Sequence, residues 1–273
     1  MGEAENHDAM SDQSDIFGLF FEDSFDLHYK SKGPTVTLTK EDVHQYFLAE
    51  NLATELYDLL KCTHAIFEHF GITYWLTGGS MIGYMRHGGI IPWDDDIDIC
   101  CFMTDKEKIF SPEVLEAFKL NNIKVIEDQT FNIENPTLSK IYRNTAKSKA
   151  VKSGQVPYPF IDIFYMDQSK LDSSINFLSI GNEDHWIAPE ELYPIKKINF
   201  GPVTANAPFD PVPQLDRGYG KDWSKKGQIH GHDHITKQGI GGPCRVFDVE
   251  PFLNVSAAYN PQKIISQVKL FGA

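Results

Sequence analysis

The chain has 273 residues, 41% of them hydrophobic and 12% aromatic, which is material for one sizeable core. Its 25 lysines and arginines stand against 38 aspartates and glutamates, a formal charge of −13. That balance argues against a nucleic-acid partner, because affinity for a phosphate backbone comes from basic surface.

Residues 1–15 are polar and acidic without periodicity and are expected to be disordered. An acidic, partly disordered segment over 1–38 is predicted to precede a single domain over 39–273. Thr39-Lys40-Glu41-Asp42 has the form of a helix start with a capping box. Apolar residues then recur at helical spacing from Val43 through Leu56, Leu59 and Phe67 to Phe70, and Gly71 follows. The pattern predicts one long amphipathic helix closed by a C-terminal glycine. Its aromatic stripe reads as core.

Ile72 to Leu76 is rich in β-branched and aromatic residues and predicts a short buried strand. Thr77-Gly78-Gly79-Ser80 follows, and Met81 to His87 has helical spacing. Strand, Gly-Gly-Ser, helix is an arrangement that can cradle phosphate. The glycines let backbone approach an anion, Ser80 offers a hydroxyl, and the helix start offers N–H groups. Read alone, a Gly-Gly pair is a plain turn.

Pro92-Trp93-Asp94-Asp95-Asp96-Ile97-Asp98-Ile99-Cys100 carries four carboxylates in five positions. Strand alternation puts Asp96, Asp98 and Cys100 on one face, and Ile97 and Ile99 on the buried one. Asp96 and Asp98 then lie roughly 6–7 Å apart along the strand. Two carboxylates that close repel, and one takes up a proton unless a cation lies between them. Mg²⁺ or Mn²⁺, bound by paired carboxylates and substrate phosphates, suits that geometry. The plainer alternative is a solvated acidic turn.

Further along, Pro112 to Leu120 predicts a helix and Ile123 to Ile126 a strand. Asp162 is the only charge in the apolar run Phe160-Ile161-Asp162-Ile163-Phe164-Tyr165. A lone buried carboxylate costs several kcal/mol unless it is paired or metal-bound. A salt bridge to a Lys or Arg is one reading; completion of the Asp96/Asp98 site is the other. Residues 167–185 are polar and read as a loop or insertion. His230, His232 and His234 alternate in a segment that reads as an exposed loop, with a metal site as the lesser alternative. The cysteines at 62, 100, 101 and 244 have no CxxC spacing and read as buried thiols of a reducing compartment. No apolar run is long enough for a membrane span and no signal peptide is visible, so a cytoplasmic location is expected.

Tyr74 to Ile99 resembles the signature of the LicD/fukutin family, through its Gly-Gly-Ser, Arg86-His87-Gly88-Gly89 and Ile91-Pro92-Trp93-Asp94-Asp95-Asp96-Ile97-Asp98. Lys140 to Thr145 is similar to the family's basic strand, and Phe160 to Phe164 to the strand bearing its third carboxylate. Leu192-Tyr193-Pro194, Phe200-Gly201 and Tyr219-Gly220-Lys221-Asp222-Trp223 are similar to its closing segments. Arg217 stands where an aliphatic residue is more usual. The resemblance implies an α/β (α+β) nucleotidyltransferase fold like the palm of polymerase β, with a short, mostly antiparallel mixed sheet. It implies a CDP-alcohol donor and a phospho-alcohol passed to a glycan hydroxyl, with release of CMP. Gly78, Gly79 and Ser80 would hold the donor diphosphate, with Arg86, Lys140 and Arg143 as its local cations. Asp96, Asp98 and Asp162 would bind metal, Asp162 as second-metal ligand or general base. The Golgi lumen, where many eukaryotic relatives act, is the alternative compartment. A nucleotidyltransferase of the same fold and an inactive binding module are the rival functions.

Overall fold

The structure is a computed structural model describing residues 35–128, 138–143, 158–168, 175–177, 186–229, 232–233, 238–239 and 244–270. The chain begins with β1 (Thr35–Thr37), α1 (Lys40–His44), α2 (Glu50–Phe70), β2 (Tyr74–Leu76), α3 (Gly78–His87) and β3 (Ile97–Phe102). Next come α4 (Pro112–Leu120), β4 (Ile123–Asp128), β5 (Leu138–Arg143), β6 (Phe160–Gln168), β7 (Ile175–Phe177), β8 (Trp186–Ile187) and α5 (Pro189–Leu192). The hairpin β9 (Lys196–Phe200) and β10 (Val203–Ala207) leads to α6 (Val212–Tyr219) and β11 (Lys226–Ile229). A ribbon of β12 (His232–Asp233) and β13 (Gln238–Gly239) precedes β14 (Cys244–Asp248).

The central sheet has the order β2-β3-β6-β5-β4, with β7 added on β6 and β8 on β7. Every pairing is antiparallel except that of β3 with β6, which is parallel. This is the mixed, mostly antiparallel α/β sheet expected. Alternation sorts its faces. Ile97, Ile99, Ile141, Ile161 and Ile163 are fully buried with Leu56, Leu59, Leu60 and Phe67 of α2 and Phe118 of α4. Each such side chain contributes about 1.5–3 kcal/mol by leaving water. The opposite face carries Asp98, Lys140 and Asp162, flanked by two apolar patches. One contains Cys100, Leu138 and Phe164; the other contains Tyr142, Tyr158 and Phe160. Neighbouring hydrophobic rows fix the height of the polar row between them.

The single long helix expected from Thr39 to Gly71 is two helices. The capping box forms as predicted, Asp42 N donating to Thr39 Oγ1 and Thr39 N to the Asp42 carboxylate. The helix nevertheless stops after His44, and Leu48 N donates to Pro92 O at 2.6 Å. Val43 packs with Phe247, Val249 and Phe252, whereas α2 serves the main core. Apolar periodicity continues across the break because both sides are buried, against different partners. Gly71 closes α2 in the left-handed conformation, φ 61°, as expected.

β1 pairs in parallel with β14, so the folded part includes residues 35–37, ahead of the boundary expected at Thr39. Residues 1–15 lie outside the described residues. β6 reaches Gln168, and β7 falls inside the stretch expected to be a loop. Arg217 forms a two-pronged pair with Glu191, at 2.9 and 2.6 Å, and lies 3.7 Å over the Trp186 ring. That planar stacking and fork account for a guanidinium at a usually aliphatic position. Cys62, Cys100 and Cys101 are buried free thiols; the Cys244 side chain lies outside the described residues. Among the described residues, no helix is long and apolar enough to cross a membrane.

Candidate active site

Strand register builds the site. Asp98 of β3 is opposite Asp162 of β6, and Asp162 is opposite Lys140 of β5. Three charged residues thus form one row across three adjacent strands. Lys140 Nζ is 2.5 Å from Asp162 Oδ1 and 3.9 Å from the centroid of the buried Phe160 ring. Asp96, just ahead of β3, turns to the same place. Asp96, Asp98 and Asp162 each offer a carboxylate oxygen, and all three oxygens lie within 4.8 Å of one another. Burial pushes the Asp98 carboxyl well above the usual carboxylate range, and Asp96, Asp162 and Asp94 push it the same way. Lys140 opposes them. Both readings of Asp162 therefore meet in one residue, which is salt-bridged and also a member of the carboxylate cluster.

The Gly-Gly-Ser turn is built against Asp98. Gly78 adopts φ +54°, and a Cβ there would stand 2.8 Å from Asp98 Oδ2. A Cβ on Gly79 would meet Asp94 Oδ2 at 2.6 Å. Ser80 Oγ accepts from Asp98 N at 2.9 Å, and Thr77 N donates to Asp98 O at 3.1 Å. Gly78, Gly79 and Ser80 are thus brought together with the carboxylates at the start of α3. There the glycines supply close approach, and Ser80 orients the entry to β3. The N-terminal end of a helix favours negative charge, whether carried by carboxylate or phosphate.

Two expected donor cations are not brought to this cluster. Arg86 is buried, and its Nη1 donates to Trp223 O at 2.7 Å and Lys226 O at 2.9 Å. It fastens the end of α3 to the chain that follows α6. Burial lowers its pKa to about 10, with Asp94 acting the other way. Arg143 is an odd number of residues from Lys140, so it leaves β5 on the helix-covered face. It pairs with Asp58 of α2 and donates to Asn121 O at 2.8 Å. Arg143→Met is expected to cost about 3 kcal/mol, because it strands the poorly exposed Asp58 carboxylate. Donor affinity should stay within twofold, as read by denaturation and nucleotide titration. A large loss of donor affinity without loss of stability would return Arg143 to the site.

Two residues that the sequence offered only as members of motifs, with no role assigned, lie at the site. Asp94 precedes β3, so strand alternation gave it no face, yet its carboxylate lies against Gly79. Tyr219, at the end of α6, brings its hydroxyl to within 3.4 Å of the position a Gly78 Cβ would take. No local pattern links it to Gly78, far earlier in the chain. His87 is buried, its Nδ1 2.9 Å from Phe252 O, and burial lowers its pKa to about 4. It is a structural histidine. His230 and His234 lie outside the described residues, and His232 is described only as backbone of the β12–β13 ribbon.

Three carboxylates sharing a partly buried niche, one of them driven toward protonation by its neighbours, fit a hard divalent cation with oxygen ligands. Asp96, Asp98 and Asp162 would hold Mg²⁺ or Mn²⁺. The LicD/FKTN/FKRP nucleotidyltransferase domain matches residues 71–210, a span running from the end of α2 through β3, β5 and β6. An uncharacterized protein of Rickettsia prowazekii is 30% identical over 195 residues, 71% of this chain and 65% of its own. The lipopolysaccharide cholinephosphotransferase LicD of Haemophilus influenzae is 29% identical over 140 residues, 51% of this chain and 46% of its own. The ribitol 5-phosphate transferase FKRP of Homo sapiens is 50% identical over 40 residues, 15% of this chain and 8% of its own. The chain spans less than two thirds of the length of each of these relatives. With matched residues covering every strand that carries a charged member of the row, the chain belongs to the LicD/FKTN/FKRP nucleotidyltransferase-domain family.

Proposed function

We propose that the protein is a metal-dependent phosphotransferase. It moves a phospho-alcohol, such as phosphocholine or ribitol phosphate, from a CDP-linked donor to a sugar hydroxyl of a glycan or glycoconjugate and releases CMP. The observation that supports this most is the row of Asp98, Asp162 and Lys140, joined by Asp96 and backed by the Gly78–Gly79 turn. Phosphoryl transfer asks a protein for positioning and charge neutralisation more than for covalent chemistry. A family shared with a cholinephosphotransferase and a ribitol 5-phosphate transferase supports a phospho-alcohol as the transferred group.

In the proposed reaction the acceptor oxygen bonds to the phosphorus bearing the alcohol. The bond from that phosphorus to the bridging oxygen breaks, and CMP leaves with the bridging oxygen. A divalent cation held by Asp96 and Asp98 would supply charge neutralisation to the diphosphate. Asp162, whose Oδ1 is held by Lys140, has one other oxygen, which would either complete the cation site or take the acceptor proton. Lys140 offsets negative charge beside the departing nucleotide.

Incubation with labelled CDP-choline and CDP-ribitol, Mn²⁺ and a lipopolysaccharide-derived glycan tests this directly. The expected products are CMP and a phospho-alcohol on the glycan. A CMP-bearing product with release of phosphocholine or ribitol phosphate would favour the nucleotidyltransferase instead. No turnover with either donor and metal would remove the assignment in favour of a binding module.

A further inference from the structure

Trp93 immediately precedes the acidic turn and has no part in the reaction as written. It is half-buried. Among the described residues it is the one hydrophobic side chain that packs against both the main core and the cluster of Val43, Ile229, Phe247, Val249 and Phe252. That second cluster belongs to α1, to a small sheet of order β1-β14-β11 and to the turn at Glu250–Phe252. None of these elements falls within residues 71–210, the span shared with the family.

Four aromatic rings surround the indole. Between ring centroids, Phe247 stands 4.8 Å away, Phe252 5.4 Å and Phe47 6.3 Å, the first two edge-on. His87, the last residue of α3, meets it edge-on at 5.3 Å. Edge-to-face contacts are directional, so they fix the tilt of the indole as well as its place. The backbone is pinned on either side of it: Leu48 N donates to Pro92 O at 2.6 Å, and Asp94 N to Ile91 O at 3.0 Å. The turn that follows needs such an anchor. Asp94, Asp95 and Asp96 each offer a carboxylate oxygen, and these lie within 4.8 Å of one another. Like charges that close push apart, yet Asp96 must stay gathered with Asp98 and Asp162. A turn free to relax would spread its carboxylates, whereas one anchored through the indole holds them.

We propose that Trp93 is a positioning residue of the cation site, through which the β1-β14-β11 sheet tunes cation affinity. The indole contributes no ligand atom; it passes the placement of Phe247 and Phe252 on to Asp94 and Asp96. This rests on the metal-site reading proposed above. It extends that reading to a layer of the chain that supplies none of the three clustered carboxylates.

Binding of Mn²⁺ to the full chain would be read by electron paramagnetic resonance in the parent and in four variants, each checked for a cooperative melt. Trp93→Leu should bind Mn²⁺ about tenfold more weakly or worse, the usual scale for losing a group that orients a metal ligand. Trp93→Phe keeps a ring among the other four and should bring affinity back to within about threefold of the parent. Phe247→Leu leaves Trp93 and every carboxylate unchanged, and should still weaken Mn²⁺ by about threefold or more. Phe118→Leu is the control: it loosens the main core beside Phe67, whose ring is 6.0 Å away, and should bind Mn²⁺ within about twofold of the parent while melting earlier. Parent-like Mn²⁺ binding by Trp93→Leu, or by Phe247→Leu if Trp93→Leu does not fold, would overturn the proposal. So would an equal loss in Phe118→Leu, which would make the effect a general softening of the fold. If the parent chain binds no Mn²⁺, the metal-site reading falls and the role of Trp93 falls with it.

Discussion

Asp98→Asn is expected to abolish transfer and at the same time to stabilise the metal-free protein. Loss of a charge aimed at the reacting group costs at least about 10²–10³-fold in rate. Stability moves the other way because Asp98 is held well above its ordinary range by burial and by Asp96, Asp162 and Asp94. Below about pH 4 both folded and unfolded states carry the proton, and this group makes no difference. As the pH rises, the unfolded chain releases the proton and the folded chain retains it, so stability falls with pH until the raised folded pKa is passed. Asparagine removes that penalty. The variant should match the parent in acid and be more stable than the parent at neutral pH in EDTA. Denaturation at two pH values reads the difference. A variant less stable than the parent at neutral pH would mean that Asp98 is a structural anchor.

Lys140→Met should have the opposite sign, although Lys140 and Asp98 lie on either side of Asp162 in the same row. The ammonium is 2.5 Å from Asp162, and both side chains are about one tenth exposed. Removing it leaves a buried carboxylate beside Asp96 and Asp98 without its cation, a change that typically costs about 3–5 kcal/mol. Two further results should follow. Mn²⁺ should recover a larger share of stability in this variant than in the parent, because the cation takes over the missing counter-charge. Adding Asp162→Asn should also recover much of the loss without restoring transfer. A Lys140→Met protein as stable as the parent in EDTA would show that the pair contributes nothing to the fold.

The pair of predictions turns on what the residues reveal at different ranges. Alternation was enough to place Asp98 with Asp96 and to send Ile97 and Ile99 into the core, because a strand has a period of two and needs no partner to express it. The same rule separates Lys140 from Arg143, three positions apart. Both are cations of one basic segment, yet parity sends only Lys140 to the carboxylate face. Cross-strand register is another matter. Nothing in the residues around Lys140 says that it sits opposite Asp162, because register comes from which strands pair and where. The places of Tyr219 and Asp94 at the site were hidden for a related reason. One arrives from a helix far along the chain, and the other lies in a turn where no periodic rule applies. The break between α1 and α2 was invisible because the backbone bond from Leu48 to Pro92 is long-range, while the apolar spacing that suggested one helix continues on both sides of it.

The most direct test of the account is a thermal-shift comparison of the parent chain and Asp98→Asn with CDP, with Mn²⁺, and with both together. A carboxylate cluster that holds a cation for a diphosphate predicts a small shift with either ligand alone and a larger, more than additive shift with both in the parent. In Asp98→Asn the extra shift should vanish. Equal stabilisation by CDP in EDTA and in Mn²⁺, with the Asp98→Asn protein behaving like the parent, would contradict the metal-bridged site.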